Sequence, residues 1–415
     1  MSSKLQVSLR FSESTAPILI GECLWIPSEK RVAFEWDPAF LNSRYELSPI
    51  VLPKKALASK APFEPFDGLH GLFSDSIPDG FGLRLMNQGL VRYGLSPSEV
   101  NPLHRLAWVG QHGIGAFCYS PVIDNHDYRE LAQLSEISHY AKLAQTEILE
   151  DIPRSMIQSG GSALGARPKF WAQVSSDGKQ MILGDRGATP QGFSPVLLKF
   201  APRQGDQNEP FYEAACLSLV SKYGVPAATA QLITQSDCVA LAVHRFDRLP
   251  NGRRIHMQSV AALLQINFRV PSLDYLDLVK LSAKLSGAPQ KELIFRLACM
   301  NVALCNRDDH AKNFAFCMDS SGVWQLSPAF DISPNQGPNG WHTMTVAGEG
   351  QRITKEHLLH FAKEIQLSEV IAKDAIDKAL AASHEFEVTA INFGASKRSV
   401  KKWSTQLKKI AKDLI

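Results

Sequence analysis

The chain has 415 residues, 45% hydrophobic and 20% charged, a balance that excludes a long disordered protein and allows two or three packed domains. Its formal net charge of +3 is too small to make nucleic acid the main partner on charge alone. Seven scattered cysteines, none in a C-x-x-C pair, fit reduced thiols in a cytoplasmic protein and argue against a disulfide framework or a zinc site.

The start, "MSSKLQVSLRFSES", alternates apolar and polar residues and lacks the apolar block of a secretory signal. No run approaches the length of a membrane helix, so no membrane partner is expected. Residues 4–52 read as short strands, "LQVSLRF", "APILIGECLWI" and "RVAFEWD", with turn residues between them. Helical spacing begins after Pro78, Gly80 and Gly82, and "LHRLAWVGQHGIGAFCYSP" combines a helix, a glycine-rich turn and a strand. Residues 123–147 are polar and helical, and read as a connector.

A second part begins near residue 148. "KFWAQVSSDGKQMILG" is a hairpin pattern turning at Ser-Asp-Gly, and "PVLLKFAP" is an apolar strand interrupted by Lys199. "NEPFYEAACLSLVSKYGV" is an amphipathic helix closed by Gly224, and "DCVALAVHRFDRL" is a buried strand. From about residue 270 the pattern is mainly helical. The whole predicts an α+β chain: a strand-rich domain over 1–122, the connector over 123–147, a small strand-rich lobe over 148–250 and a larger helical lobe over 251–415.

The segment "LCNRDDHAKNFAF" (304–316) sets a polar knot between apolar flanks. Asp308 precedes Asn313 by five residues, the spacing at which a protein kinase places its proton-accepting aspartate and a magnesium-binding asparagine. A second magnesium aspartate should follow a short strand pair, and "VWQLSPAFDISP" supplies Asp331. Magnesium takes hard oxygen ligands and few of them from protein, so Asn313 and Asp331 suffice with phosphate and water. Upstream, "SGGSALGARPK" (159–169) is a glycine-rich loop whose backbone N–H groups could cradle phosphates. Lys199 stands inside an apolar strand, where a kinase keeps its phosphate-binding lysine, and Glu213 on the next helix is its natural partner. Each feature alone is common: an Asp-Asp pair can be a solvated turn, and a strand lysine can reach to solvent. Their occurrence together in kinase order predicts a kinase-like, two-lobed fold. No second histidine stands at zinc-ligand spacing from His310, which disfavours a metal hydrolase.

The blocks "GLFSDSIPDGFG", "GSALGARPK", "LAVHRFDR", "NRDDHAKNF", "LSPAFDISP" and "HTMTVAGEG" occur in the order of the HipA family of bacterial toxin kinases. The chain resembles that family over nearly its whole length. The resemblance implies a HipA-type N-terminal domain joined to a kinase-like fold. It implies phosphorylation of serine or threonine in a protein substrate with ATP and Mg2+. It also implies a small DNA-binding antitoxin as partner, with operator DNA contacted mainly through that antitoxin. Carried onto this sequence, Asp308 resembles the catalytic aspartate, Asn313 and Asp331 the metal ligands, and Lys199, paired with Glu213, the phosphate-binding lysine. Ser162, Ala163, Leu164, Gly165, Ala166, Arg167 and Lys169 form the nucleotide loop, with Ser162 at the autophosphorylated position. His244, Arg245 and Phe246 would lie against the adenine as the hinge, although Arg245 and Asp247 are also expected to make a structural ion pair. His310 is expected to brace the catalytic loop and Lys312 to reach the γ-phosphate. Two alternatives stay open: a catalytically silent co-repressor on the same fold, and a small-molecule kinase. In the tail, "KRSVKKWSTQLKKIAKDLI" places Val400, Trp403, Leu407 and Ile410 near helical spacing, which predicts a docked terminal helix with a basic outer face.

Overall fold

The computed structural model describes residues 3–415 except 125, 127, 147–150, 164, 166, 185–188 and 237. It divides into two compact units. The first takes Met1–Gly205, Ile233–Asn267 and Cys317–Gly322; the second takes Asp206–Leu232, Phe268–Phe316 and Val323–Ile415. Helix α7 (Glu209–Lys222), expected with the small lobe, therefore groups with the helical unit. Its exposed Lys222 pairs at 2.6 Å with Glu385 of the long helix α12 (Glu369–Phe393), and its inner face is apolar.

The first unit holds two sheets. One is antiparallel, ordered β4-β3-β2-β1-β5, from β1 (Lys4–Leu9), β2 (Ile18–Ile26), β3 (Arg31–Trp36), β4 (Ser59–Lys60) and β5 (Phe117–Ser120). In β1, Leu5, Val7 and Leu9 point inward while the residues between them do not, the two-residue period that marks a half-buried strand. Helices α1 (Pro38–Leu41), α2 (Gly71–Ser74), α3 (Gly80–Arg92) and α4 (Pro102–Val109) accompany this sheet. The second sheet is ordered β10-β11-β9-β7-β8-β6, from β6 (Glu130–Ala132), β7 (Lys169–Ser175), β8 (Met181–Leu183), β9 (Phe193–Lys199), β10 (Ala230–Gln235) and β11 (Cys238–His244). Helices α5 (Leu134–Leu143), α6 (Arg154–Gly160) and α8 (Val260–Leu264) complete the unit.

The stretch 123–147 is not helical throughout. Glu130–Ala132 forms β6, pairing antiparallel with β8, before α5 begins. Its polar composition reflects an edge strand, one face of which meets water: Leu131 is 73% exposed.

The second unit is built on α7, α9 (Tyr275–Ser286), α10 (Lys291–Ala303), α11 (Lys355–Glu364), α12 and α13 (Lys397–Leu414). Helix α9 starts at a capping box between Asp274 and Asp277 and stops at Gly287, whose left-handed φ of 74° suits glycine. Tyr275, Phe295, Phe361 and Phe386 are wholly buried and anchor the core. Helix α13 docks as expected: Val400 and Leu407 are buried, Trp403 and Ile410 half-buried, and Lys397, Lys401, Lys408 and Lys412 exposed. All seven cysteines are free thiols. No helix among the described residues is long and apolar enough to cross a membrane.

Candidate active site

Helix α10 delivers the polar knot. Its residues from Leu297 to Ala303 are buried, and the chain leaves the helix through Leu304 and Cys305. Cys305 adopts a left-handed φ of 55°, which turns the chain sharply. The two aspartates that follow part company. The Asp308 side chain is 58% exposed, whereas Asp309 is 0% exposed. Asp309 Oδ1 accepts from the Thr343 and Met344 amides at 2.7 and 3.3 Å. Its Oδ2 meets the Tyr275 hydroxyl at 3.1 Å and His342 Nδ1 at 2.9 Å. The pair is thus not a solvated turn; a carboxylate can be buried when all its acceptor sites are used. Burial, with Asp309 charge beside it, raises the Tyr275 hydroxyl well above its ordinary range, so it stays a donor.

Asn313 lies against the backbone of Asp308: its Nδ2 donates to the Asp308 carbonyl at 2.7 Å. That bond leaves Oδ1 as the amide's acceptor atom. His310 braces the loop from inside, its Nδ1 accepting from the Lys312 amide at 3.2 Å. The Lys312 ammonium sits 4.5 Å from the Phe268 ring centroid, and the same ring lies 5.1 Å from the His310 ring. Asp331 follows a segment pinned by Ala329, whose N–H donates to Pro226 O and whose carbonyl accepts from Ala228 N, both at 2.8 Å. Asp331 itself is half-buried, with a left-handed φ of 55°, unusual for a residue with a side chain. Asn313 and Asp331 are an amide and a carboxylate oxygen donor. That set fits a hard divalent cation completed by phosphate and water. Among the described residues, no group of three His, Cys, Asp or Glu could hold a metal alone.

The remaining candidates lie in the first unit, except Glu213, buried on α7 in the second. Lys169 opens β7 and faces Lys199, at the end of β9, across the antiparallel pair. Lys199 is half-buried and Lys169 only 4% exposed. The glycine-rich segment divides by role. Gly160 and Gly161 end α6, and a Cβ on them would press 2.4 Å from Leu85 Cδ1 and 3.2 Å from the Met86 amide nitrogen. They serve close packing against α3. Gly165 is the loop glycine, with φ of 100° and its amide donating to Asp79 Oδ1 at 2.6 Å. A Cβ there would stand 2.4 Å from Lys169 Nζ, so the loop rests directly on that ammonium. Ser162 and Ala163 are buried, Arg167 is exposed, and Leu164 and Ala166 lie outside the described residues.

At the expected hinge, His244 and Phe246 are half-buried, and burial lowers the His244 imidazole below its ordinary value. The Arg245 side chain is committed elsewhere. It grips Asp247 in a fork, Nε to Oδ1 at 2.9 Å and Nη2 to Oδ2 at 2.7 Å, with its guanidinium 4.2 Å over the Trp171 ring. Arg248 and the Gly115 amide also bind Asp247 Oδ2, at 2.8 and 2.9 Å. Burial alone would raise the Asp247 carboxyl, but Arg245 and Arg248 hold it far below the usual range. The Arg245 side chain thus makes the structural ion pair expected from the sequence.

Residues 161–386, more than half of the chain, match the family described as HipA-like C-terminal domain. The chain belongs to the HipA family. Residues 17–120 match the HipA N-terminal domain. HipA of Shewanella oneidensis MR-1, solved with HipB and operator DNA as a toxin–antitoxin complex, is similar at TM-score 0.69 and 16% identity. The match covers 98% of this chain and 97% of that one. The proinflammatory kinase CtkA of Helicobacter pylori is similar over 53% of this chain and 88% of its own, at TM-score 0.37 and 14% identity. The expected α+β, kinase-like fold with a strand-rich N-terminal region is the fold of this HipA-family chain.

Sequence reasoning missed the buried polar set around Asp309: Tyr275, Asn301, Asn306 and His342. The block "HTMTVAGEG" carried a resemblance but no role. The one local signal was the second aspartate itself, which a loop exposed throughout would not need.

Proposed function

We propose that this HipA-family chain is an ATP-dependent serine/threonine protein kinase acting in the cytoplasm as the toxin of a toxin–antitoxin pair. The observation that carries the reading is the loop geometry: an exposed Asp308 whose own carbonyl is held at 2.7 Å by the Asn313 amide. Asp308 would accept the proton of the attacking hydroxyl as the γ-phosphoryl group transfers in line. Asn313 Oδ1 and the Asp331 carboxylate would hold Mg2+, which supplies charge neutralisation to the phosphates. Lys199, with Glu213 as its partner, and Lys169 would hold phosphate oxygens, with Gly165 giving the backbone close approach. Arg167 and Lys312 would add cations at the phosphate end, and His310 would keep the loop in shape. His244, Phe246 and the Arg245 backbone would border the adenine. Ser162 would be the autophosphorylated residue. A small DNA-binding antitoxin and, through it, operator DNA would be the partners, as the Shewanella complex suggests by its composition.

The test is label transfer from γ-labelled ATP with Mg2+ in cell lysate, followed by mapping of every labelled protein. Asp308→Asn should keep the fold and lower transfer by on the order of a hundredfold or more, because an amide cannot take the hydroxyl proton. Transfer at the wild-type rate by the folded variant would remove Asp308 from the mechanism. Label on a small molecule and on no protein would replace the protein-kinase reading by a small-molecule kinase.

A further inference from the structure

Asp308 stands between two buried polar residues, Asn306 and Asp309, with the half-buried Arg307 beside it. Two positions earlier, Asn306 is buried, and its Nδ2 donates to Asn301 Oδ1 at 2.9 Å. Asn301 Nδ2 donates in turn to the Tyr275 hydroxyl at 2.8 Å, and that hydroxyl donates to Asp309 Oδ2. One position later, Asp309 closes the chain and takes His342, Thr343 and Met344 as further donors. The Arg307 carbonyl accepts from the Thr343 hydroxyl at 3.2 Å. The backbone before Asp308 is also tied down: the Asn306 amide donates to Asn301 O and the Asn335 amide to Cys305 O, both at 2.8 Å. All these groups belong to the second unit. A single directional chain of hydrogen bonds therefore runs from Asn306 through Asn301 and Tyr275 to Asp309, passing beneath the one exposed residue between its ends.

We propose that Asp309 and Tyr275 are positioning residues for phosphoryl transfer, clamping the backbone of the 306–309 loop from both sides so that Asp308 meets the acceptor hydroxyl in one orientation. This rests on the kinase reading above. Four donors converge on one buried carboxylate, and they come from helix α9 and from the 342–344 segment, far apart in sequence. Ordinary loop stability does not require that convergence, since Asn313 and His310 already close the loop locally. The clamp also ties the loop to residues 342–344, and the Asn335 amide, four residues after Asp331, binds the Cys305 carbonyl at the start of the loop. Rate should be lost through misplacement of Asp308, not through loss of nucleotide binding. Small displacements of a reacting group can cost on the order of a hundredfold.

The experiment uses the full-length chain, ATP with Mg2+, and two readouts: the dissociation constant for Mg-ATP by titration, and the single-turnover rate of label transfer to its own Ser162. Tyr275→Phe removes one hydroxyl and keeps the ring; Asp309→Asn is the stronger variant. Leu407→Ala, a buried position on α13, serves as a stability control. Tyr275→Phe should bind Mg-ATP within about twofold of wild type and transfer roughly ten- to a hundredfold more slowly. Leu407→Ala should lower the melting temperature at least as much and keep the rate. If Asp309→Asn does not fold, Tyr275→Phe carries the test alone. Folded Tyr275→Phe protein transferring at the wild-type rate would overturn the positioning role. So would a loss confined to nucleotide affinity, or an equal rate loss in Leu407→Ala. No transfer by the wild-type protein, either to itself or to any protein of a cell lysate, would overturn the kinase reading, and the positioning role with it.

Discussion

Asp247→Asn isolates the buried ion pair that Arg245 makes, as the sequence led one to expect. The carboxylate accepts four hydrogen bonds, two from Arg245, one from Arg248 and one from the Gly115 amide, and both Arg245 and Asp247 are buried. An amide keeps the shape but loses the charge, and its NH2 must face one of these donors. Leaving a buried arginine uncompensated costs about 3–5 kcal/mol. At roughly 2–4 °C per kcal/mol for a unit of 150–250 residues, the melting temperature should fall by about 10 °C at pH 7. The pH dependence has a definite sign. The folded carboxyl is held below its unfolded value of about 3.9, so its contribution is fully present above that pH and is lost as pH falls toward the folded value. The variant has no such group. The gap between the two proteins should therefore narrow by about 1.4 kcal/mol for each pH unit below roughly 4. Urea unfolding followed by tryptophan fluorescence suits the measurement, because Trp171 lies directly under the Arg245 guanidinium. A loss under about 1 kcal/mol at pH 7, or a gap that does not change between pH 7 and pH 2.5, would refute the reasoning.

Asp331→Ala should weaken magnesium-dependent nucleotide binding more than Asn313→Ala, because a carboxylate gives a hard cation more charge than an amide; wild-type magnesium dependence in both variants, measured by nucleotide titration, would remove both as ligands. Gly165→Ala should raise the dissociation constant for Mg-ATP by about tenfold, since a left-handed φ costs an alanine about 1–2 kcal/mol and its Cβ meets Lys169 Nζ; calorimetric titration at unchanged affinity would show that the loop does not cradle phosphate. Incubation with ATP and Mg2+ should place one phosphate on the 159–169 peptide at Ser162. That serine is nearly buried, so a phosphate of roughly two negative charges there should push the loop outward and, by like-charge repulsion with the ATP phosphates, abolish ATP binding. Mass spectrometry finding an unmodified peptide in active enzyme, or a phosphorylated form that binds ATP normally, would count against it.

Local chemistry made much of the architecture legible. The two-residue alternation in "LQVSLRF" and "RVAFEWD" marks strands whatever surrounds them, and β1 and β3 lie there. Ser-Asp-Gly in the second sheet turns as read, with Gly178 at a φ of 70°, and Gly224, at 88°, follows α7 as its stop. The order of the chemical blocks, glycine loop, strand lysine, Asp-x4-Asn and late aspartate, is also a property of the sequence alone, and it pointed to a kinase-like fold, while the resemblance to the family rested on the motif blocks themselves. Spacing could not tell which of two adjacent aspartates faces water. Asp308 and Asp309 are equivalent by composition, and their fates differ because Tyr275 and His342, 34 and 33 residues away, supply partners to one of them. The Arg245–Asp247 pair was legible from its two-residue spacing, but not the Gly113 carbonyl that Arg245 also reaches, 132 residues distant. The same holds for Gly160 and Gly161, which pack against α3 while Gly165 alone takes the loop conformation. Burying a charge is favourable only when its donors are assembled around it, and those donors are brought together by the fold from segments that no local pattern connects.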